Sequence, residues 1–297
     1  MTYVVLLNAG AAGMPSDAAH AIRRRFAMHG VPADVRLVEA GENISHAAAR
    51  AMADNPQVIV AGGGDGTLNA VAGAIIGHAI AFGVLPLGTL NHFAKDAGIP
   101  LDLDAAVAAI CTGDVKEVDV GRVNGRVFLN NSSLGLYPQV VKERNALTER
   151  LGHTKWPSFV WAALNVLRRF PFLDVHVKSE GKAASYRAPV VFVGNNRYEL
   201  HGMAIGERHC LDAGHLSVDI VSATSRMELL ALAARALLGR LGEATDFISF
   251  QATEVVVQTR RTSAVVAIDG EVHRLQTPLV FGMEPRALRV LVPAHNR

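Results

Sequence analysis

Short apolar runs alternate with helical patterns before residue 115, and this alternation restricts the fold more than any other feature of the chain. The apolar runs lie at Tyr3–Leu7, Val35–Val38, Val58–Ala61 and Ile80–Leu85. The helical patterns lie at Ser16–Met28, Ser45–Ala53, Thr67–Ile76 and Leu103–Cys111. Strands that lack a polar face need cover on both sides, and helices between the strands supply that cover. The first part of the chain is therefore predicted to be a doubly wound α/β domain with a parallel sheet.

The pattern changes near Val115 to short strands, beginning with the hairpin signal Asn124-Gly125. Further strands are predicted at Leu173–Lys178, Tyr186–Gly194, Leu216–Val221, Phe247–Thr259, Thr262–Ile268, His273–Phe281 and Ala287–Val292. At about 100–200 residues per domain, a chain of 297 residues fits two domains. We expect an α/β domain at residues 1–120 and an antiparallel, β-sandwich-like domain at residues 121–297.

Two apolar-rich helices are predicted to interrupt the strands of the second domain. Met227–Leu241 has leucines and alanines at helical spacing, which indicates core packing. Thr154–Phe170 carries aromatic residues beside Arg168 and Arg169, a composition that suits either a helix covering the core or a membrane interface.

Composition excludes several classes of protein. The net charge is only +2 and the chain has no run of five basic residues, so nucleic acid is not an expected partner. Cys111 and Cys210 are too few and too far apart for a disulfide framework, which fits a reducing compartment. No stretch reaches the 18 apolar residues of a membrane span. We therefore expect a cytoplasmic protein that is soluble or at most peripheral to a membrane.

A glycine cluster follows the third predicted strand and precedes a helix. Glycines let the backbone approach a ligand closely, and the free N–H groups of a helix N-terminus favour anions, so this loop suits phosphates. It is neither a Walker A loop nor G-x-G-x-x-G. Asp65 within the cluster would repel a bare phosphate, which favours a nucleotide with Mg²⁺. A tight strand-to-helix turn with Asp65 as a cap is the alternative. The glycines are Gly62, Gly63, Gly64 and Gly66.

A second polar loop follows the next predicted strand. Gly88, Thr89, Asn91 and Lys95 lie beyond Pro86. Because ligands of doubly wound sheets bind at the carboxyl ends of the strands, both loops should open on one edge. Thr89 and Asn91 can hydrogen-bond sugar or phosphate oxygens, and Lys95 can meet phosphate charge.

The two loops carry specific motifs. The run from Gly63 to Thr67 (GGDGT) resembles the signature shared by diacylglycerol, sphingosine and NAD kinases. The run from Pro86 to Lys95 (PLGTLNHFAK) resembles the second motif of the diacylglycerol kinase catalytic domain, which NAD kinases lack. The resemblance extends over nearly the whole chain and is greatest to bacterial soluble lipid kinases. It implies ATP in a cleft between an α/β domain and a β-sandwich-like domain, and the last strand can return to the first domain.

The resemblance also implies roles for individual residues. Asp65 would help to place the metal or the nucleotide. The residues that would contact ATP are Asn8, Gly62, Gly63, Gly64, Gly66, Thr67, Asn69, Gly88, Thr89 and Asn91.

Three positions depart from the family pattern. The first loop, Asn8 to Gly13, lacks the usual proline and serine, and His92 replaces an aspartate of the second motif. Ala213 replaces the aspartate that holds a structural Mg²⁺ in some members, and the neighbouring Asp212 is the candidate substitute. These departures affect the expected phosphate contacts and the structural metal.

An acidic pair lies near the C-terminal end of the sequence, where Asp269 and Glu271 flank Gly270. By itself Asp-Gly indicates a hairpin turn. The family carries Asp-Gly-Glu here, which implies that Asp269 is the base for an acceptor hydroxyl and that Glu271 binds Mg²⁺ or orients Asp269. A carboxylate in that role is chemically sensible, because an alcohol is a poor nucleophile until its proton is accepted.

The predicted activity is therefore ATP- and Mg²⁺-dependent phosphorylation of a diacylglycerol-like lipid, with the lipid reached at a membrane surface. A sphingoid base, a polyprenol, an acylglycerol or NAD is the alternative acceptor. A nucleotide-binding regulator without catalysis is the alternative from another class. The sequence leaves open the acyl preference and whether the protein forms a homo-oligomer. His201, His209 and His215 lack the spacing of a zinc site.

Overall fold

The structure is a computed structural model, and it describes residues 2–10, 17–39, 41–135, 172–198, 208, 210–221, 228 and 247–294. The chain divides into two compact units. The first comprises Met1–Val120, Cys210–Ala213 and Glu284–Arg297, and the second comprises Gly121–His209 and Gly214–Met283. Each unit is described separately below.

The first unit alternates strands and helices as the apolar pattern predicts, which confirms the α/β fold class. In chain order the elements are β1 (Tyr3–Asn8), α1 (Ala18–Met28), β2 (Ala33–Val38), α2 (Ile44–Met52), β3 (Val58–Gly63), α3 (Asp65–Ile75), β4 (Ala81–Pro86), α4 (His92–Asp96) and α5 (Leu103–Thr112). The five-residue helix α4 was not predicted, because a single turn leaves no periodic signal.

The parallel sheet of the first unit has the strand order β2-β1-β3-β4. Helix α1 packs with α5, and α2 packs with α3, as expected for helices on both faces. Strands β1, β3 and β4 are buried along nearly their whole length, which explains their apolar sequences. Because β1 has β2 on one side and β3 on the other, the strand order reverses between β1 and β3. The carboxyl ends of these strands form the crevice where ligands of such sheets bind.

Local sequence signals fix the ends of the helices. Asn43 caps α2, since its Oδ1 accepts hydrogen bonds from the backbone N–H groups of Ser45 (2.9 Å) and His46 (3.3 Å). Asp102 caps α5 by accepting from the N–H of Ala105 at 2.9 Å. Such caps satisfy N–H groups that have no partner inside the helix.

The second unit consists of short strands. Strand β5 (Asp114–Val123) runs into it from the first unit, and its further strands are β6 (Arg126–Phe128), β7 (Asn131–Gly135), β8 (Leu173–Ser179), β9 (Lys182–Ala188), β10 (Val190–Asn195), β11 (Leu216–Val221), β12 (Phe247–Ala252), β13 (Glu254–Thr259), β14 (Ser263–Ile268), β15 (Glu271–Gln276) and β16 (Leu279–Val292). Within this unit the paired strands with a given register run antiparallel, and an isolated parallel bridge joins Asn196 and Leu216.

Two layers form the second unit. One is a six-stranded sheet with the order β12-β11-β10-β7-β14-β15, and the other contains the first residues of β16, then β13, β8 and β9. Apolar side chains of both layers share one core, including Val191, Val218, Val255, Val257 and Phe281. This is the β-sandwich-like architecture expected from the alternating pattern.

Three stretches predicted as single strands are each two strands. Tyr186–Gly194 breaks at Pro189, which cannot donate a ladder hydrogen bond. Phe247–Thr259 breaks at Thr253, and its halves β12 and β13 belong to different layers. His273–Phe281 breaks at Thr277-Pro278. The sequence does not show these breaks because the strands on both sides of each break contribute apolar side chains to the buried core.

The predicted helix Thr154–Phe170 lies outside the described residues, and so does Met227–Leu241 apart from residue 228. Among the residues that the structure does describe, no helix has the length and apolar character needed to cross a membrane.

Candidate functional site

The GGDGT loop leads from β3 directly into α3. Gly64 is the N-cap of α3, and Asp65 is its first residue. A Cβ on Gly63 would lie 2.6 Å from the side chain of Thr67, and a Cβ on Gly62 would lie 2.5 Å from Leu7 Cδ2. Position 63 therefore requires glycine, whereas a Cβ at position 62 would require the buried Leu7 side chain to move. The N–H groups in the first turn of α3 have no intrahelical partner and are available to an anion.

The second loop is built around Asn91. This residue is buried and adopts a left-handed conformation with φ +52°. Its Oδ1 accepts from the N–H of Gly88 at 3.0 Å, and its Nδ2 donates to the carbonyls of Gly88 (2.8 Å) and Pro86 (3.2 Å). Both amide hydrogens are thus engaged within the loop, so Asn91 shapes the loop through its side chain. A direct contact of Asn91 with nucleotide stays a prediction.

The two loops touch each other. A Cβ on Gly88 would lie only 2.5 Å from Gly64 Cα, and the N–H of Leu87 donates to the carbonyl of Gly63 at 3.1 Å. The carboxylate of Asp65 accepts from the N–H groups of His92 (3.3 Å) and Phe93 (3.2 Å). Asp65 therefore caps α4, the helix of the second motif. Since His92 contributes its backbone N–H, the cap does not depend on the aspartate that the family has at this position.

Asn8 connects the carboxyl end of β1 to the same crevice. Its Nδ2 donates to Thr67 Oγ1 at 2.8 Å, and its Oδ1 accepts from the N–H of Gly10 at 2.9 Å. Thr67 is buried, Asn69 is half-buried on α3, and Thr89 and Lys95 are exposed. The structure thus brings the ends of β1, β3 and β4 together, with backbone N–H groups and small polar side chains around the crevice.

Asp269 forms a separate centre in the second unit. It and Gly270 make the turn between β14 and β15, with φ +44° and +84°, the left-handed pair of a type I′ hairpin. The carboxylate accepts three backbone hydrogen bonds, from Leu129 (2.7 Å), Asn130 (2.9 Å) and Asn131 (3.0 Å). The Asp-Gly turn is therefore present, and its aspartate also binds a distant segment of chain.

Opposite effects act on the pKa of Asp269. Burial raises the pKa of its carboxyl group to about 6, although the three N–H donors and the Arg208 guanidinium act in the opposite direction. The residue as a whole is half-buried, so the loss of hydration is felt mainly at the carboxyl end. A carboxylate with a pKa near neutrality can accept a proton more readily than an ordinary aspartate.

Glu271 and Asp212 occupy different settings from Asp269. Glu271 is exposed and lies 3.7 Å from His273 Nε2, and burial lowers the pKa of that histidine. Asp212 accepts a hydrogen bond from Cys210 Sγ at 3.0 Å. It lines a depression in the first unit with Lys116, Glu117, Arg286 and Arg289. This depression has more basic than acidic side chains, an unfavourable setting for a bare cation.

The residues present fit Mg²⁺ only in company with a nucleotide. Within the described parts of the chain, no group of three or more His, Cys, Asp or Glu side chains forms a metal cluster. Mg²⁺ commonly takes one or two carboxylates together with substrate phosphates and water. Asp65, at the glycine loop of the first unit, suits that pattern. The roles of Asp65, Glu271 and Asp212 toward metal stay predictions.

Three residues around Asp269 were missed from the sequence. Asn130 and Asn131 follow β6 and supply N–H groups, and Arg208 is a buried cation in the same unit. The doubled asparagine at a strand end was the available signal. Arg208 offered none, because an isolated arginine between polar residues is normally exposed.

Comparison with known proteins identifies the family. The diacylglycerol kinase catalytic domain matches residues 2–123, and the YegS C-terminal NAD kinase beta sandwich-like domain matches residues 133–292. The chain belongs to the diacylglycerol kinase family. Both of the lipid-kinase motifs noted in the sequence lie inside the catalytic-domain match, and Asp269 lies inside the second match.

Individual relatives agree with this family. A Pseudomonas aeruginosa protein named "Probable lipid kinase YegS-like" is 32% identical over 257 residues, covering 82% of this chain and 79% of the relative. A protein of the same name from Pseudomonas syringae pv. tomato is 30% identical, covering 89% and 85%. A Staphylococcus aureus diacylglycerol kinase is 28% identical over 75% of this chain and 71% of its own.

Solved structures of diacylglycerol kinases have the same fold. A crystal structure of a diacylglycerol kinase from Bacillus anthracis str. Sterne superposes with a TM-score of 0.69 at 19% identity, covering 98% of this chain and 96% of that one. At this identity the likeness supports the fold alone. Membership of a lipid kinase family, however, follows from the two domain matches.

Proposed function

We propose that the protein is an ATP-dependent lipid kinase that transfers the γ-phosphate to a hydroxyl of a diacylglycerol-like lipid. The proposal rests on two features that occur together in this chain. The first unit has a crevice of glycine loops suited to phosphate, and the second unit has a carboxylate whose pKa is raised to about 6. The names of the relatives support a lipid as the acceptor.

The first unit is proposed to hold the nucleotide. The N-terminus of α3 offers backbone N–H groups to phosphate oxygens, while Asn8 and Thr67 hold the ends of β1 and α3 together. Asp65 fixes the second loop through α4, which keeps Gly88 and Thr89 beside the crevice. Mg²⁺ would supply charge neutralisation at the phosphates, with Asp65 as its protein ligand in this unit.

Asp269 is proposed to be the general base. As the acceptor oxygen forms its bond to the γ-phosphorus, the bond from that phosphorus to the β,γ-bridging oxygen breaks and ADP leaves. The proton of the lipid hydroxyl passes to the Asp269 carboxylate and then to solvent. With a pKa of about 6, this group is about nine-tenths ionised at pH 7 and is therefore ready to accept the proton.

The acceptor places the proposed enzyme at a membrane surface, because a diacylglycerol partitions into the bilayer. A cytoplasmic protein that binds the membrane peripherally fits this requirement.

The decisive experiment is transfer of radiolabel from ATP. Purified protein is incubated with labelled ATP, Mg²⁺ and mixed micelles that carry diacylglycerol, monoacylglycerol, a sphingoid base or a polyprenol, with NAD in a parallel tube. We expect label in an organic-extractable product, greatest with diacylglycerol. Label in a different lipid would change the acceptor, and label only in NAD would overturn the lipid assignment. ATP binding without transfer to any acceptor would favour a regulator instead.

A further inference from the structure

We propose that Arg208 is a positioning residue for Asp269, acting through the peptide groups of the segment Leu129–Asn131. This inference rests on the proposed role of Asp269 as the base. It assigns a task to a buried cation that neither sequence motifs nor family membership explains. Every group involved lies in the second unit.

Arg208 is buried with 4% of its surface exposed, and its guanidinium is held by specific acceptors. Nη1 donates to the carbonyl of Leu129 at 2.7 Å and to the carbonyl of Asn195 at 2.9 Å. Nη2 donates to Asn130 Oδ1 at 2.7 Å. The guanidinium carbon also lies 5.3 Å from the centre of the Tyr198 ring, within cation–π range. The planar fork of the guanidinium is therefore fixed from several sides.

The peptide group between Leu129 and Asn130 connects the arginine to the aspartate. Its carbonyl oxygen accepts from Arg208 Nη1 at 2.7 Å, and its N–H donates to Asp269 Oδ1 at 2.9 Å. A cation at the oxygen draws electron density from the N–H and makes that N–H a better donor. One rigid peptide plane thus lies between the guanidinium and the carboxylate.

The next peptide group is held in the same manner by a different partner. The carbonyl of Asn130 accepts from the N–H of Asn195 at 2.8 Å, and the N–H of Asn131 donates to Asp269 Oδ1 at 3.0 Å. The Asn195 side chain adds a second bond to the Leu129 carbonyl at 2.9 Å. Two consecutive peptide planes are therefore fixed on their carbonyl side and present their N–H groups to one carboxylate oxygen.

A stabilising role alone explains Arg208 poorly. Burying a guanidinium requires the loss of its hydration, and buried ionic groups can often be replaced by apolar ones without loss of stability. The arrangement holds both oxygens of the Asp269 carboxylate in one orientation, which a general base requires.

The test compares Arg208→Met with Arg187→Met. Arg187 is an exposed arginine of the same unit that lies 5.2 Å from the Phe172 ring, so it controls for loss of an arginine near an aromatic side chain. Because hydrogen bonds to charged groups are strong, we expect Arg208→Met to lower kcat about 10- to 100-fold. The KM for ATP should change less than about threefold, since the nucleotide loops are unaltered. Arg187→Met should match the wild type.

Chemical rescue separates positioning from folding. In Arg208→Ala, guanidinium at concentrations too low to unfold the protein should restore part of kcat, whereas methylammonium should restore less because it lacks the planar fork. If Arg208→Met retained kcat within threefold while Asp269→Asn lost it, or if kcat fell only in step with the melting temperature and guanidinium restored nothing, the positioning role would be wrong.

An additional measurement keeps this test independent of the acceptor. Amide hydrogen exchange at Leu129, Asn130 and Asn131 reports how firmly the segment is held, whether or not the lipid assignment is correct. We expect faster exchange at these amides in Arg208→Lys than in the wild type, with exchange elsewhere in the unit unchanged. Equal exchange in the two proteins would contradict the inference even if phosphorylation of lipid were established.

Discussion

The proposed nucleotide crevice of the first unit and the Asp269 centre of the second are built by opposite means. In the crevice, glycines and helix N–H groups form the proposed binding surface, and the side chains of Asn91 and Asp65 hold backbone in place. At Asp269, backbone N–H groups hold a side chain, and that side chain is the proposed base. The difference teaches that a phosphate site needs space and donors, whereas a base needs an orientation and a controlled charge.

The largest expected effect comes from Asp269→Asn, which removes the proposed base and retains the shape of the residue. General bases contribute about 10²- to 10⁴-fold, so kcat should fall by that factor while ATP binds normally. Single-turnover transfer and nucleotide titration measure the two quantities. Full activity in this variant would remove Asp269 from the chemistry and with it the proposed contrast between the units.

A smaller effect is expected from Gly88→Ala in the crevice. The added Cβ would lie 2.5 Å from Gly64 Cα, so the two loops must separate. Overpacking costs about 1–3 kcal/mol, and if that strain is relieved when nucleotide is absent, the Kd for ATP should rise about 5- to 150-fold.

The control for Gly88→Ala is Gly282→Ala in the second unit, where an added Cβ meets nothing within 4 Å. Its ATP affinity and melting temperature should equal those of the wild type. If Gly88→Ala also bound ATP normally, the crevice formed by the two loops would not be the nucleotide site.

The pH dependence of activity tests the charge of Asp269. Since the base must be ionised, kcat/KM should fall about tenfold per pH unit below the pKa of about 6 and level off above pH 7. The effect of Asp269 on the free energy of unfolding has the opposite dependence on pH. Burial raises the pKa of Asp269 in the folded protein above its value in the unfolded chain. Protonation of Asp269 therefore favours the folded state, and that contribution is lost as the pH rises through about 6.

Rate profiles between pH 4.5 and 8, and melting curves of the wild type and Asp269→Asn over the same range, measure both effects. If the rate instead fell with a midpoint near pH 4, the Asp269 carboxylate would be hydrated during turnover and would have the pKa of an ordinary aspartate.

The smallest effect is expected from Asp65→Asn. The amide oxygen can still accept one of the two α4 N–H bonds, so the free energy of unfolding should drop by only about 0.5–1 kcal/mol. If Asp65 also binds Mg²⁺, the Mg²⁺ concentration needed for half-maximal rate should rise while the KM for lipid stays constant. Unchanged Mg²⁺ dependence would limit Asp65 to its capping role.

Sequence patterns predicted the elements whose signals are local. The buried strands of the parallel sheet show continuous apolar runs, and Asp269-Gly270 shows a two-residue turn signal that the positive φ angles confirm. The split at Pro189 was readable in principle from the proline itself. The fold class and the family could both be predicted because each depends on short, contiguous stretches of sequence.

Partners at long range could not be predicted. Asp269 binds N–H groups 138 to 140 positions away in sequence, and Arg208 reaches a carbonyl 79 positions away. Backbone groups carry no residue-specific signal, so the identity of Leu129 does not predict that its N–H donates a hydrogen bond to a carboxylate. Asp65 is a similar case, since its carboxylate oxygens accept hydrogen bonds from the first N–H groups of a helix that begins 27 positions later.

Strand β16 has a consequence for how the protein is made. Its first residues, Leu279–Met283, belong to the second unit, and the residues from Glu284 onward belong to the first, where Val290 pairs with Phe82 of β4. During synthesis on the ribosome, β4 gains this neighbour only after the chain has been made through β16, about 200 residues later. Until then its edge is open to pairing with other chains. Slowing translation ahead of residue 279 should therefore increase aggregation of the nascent chain.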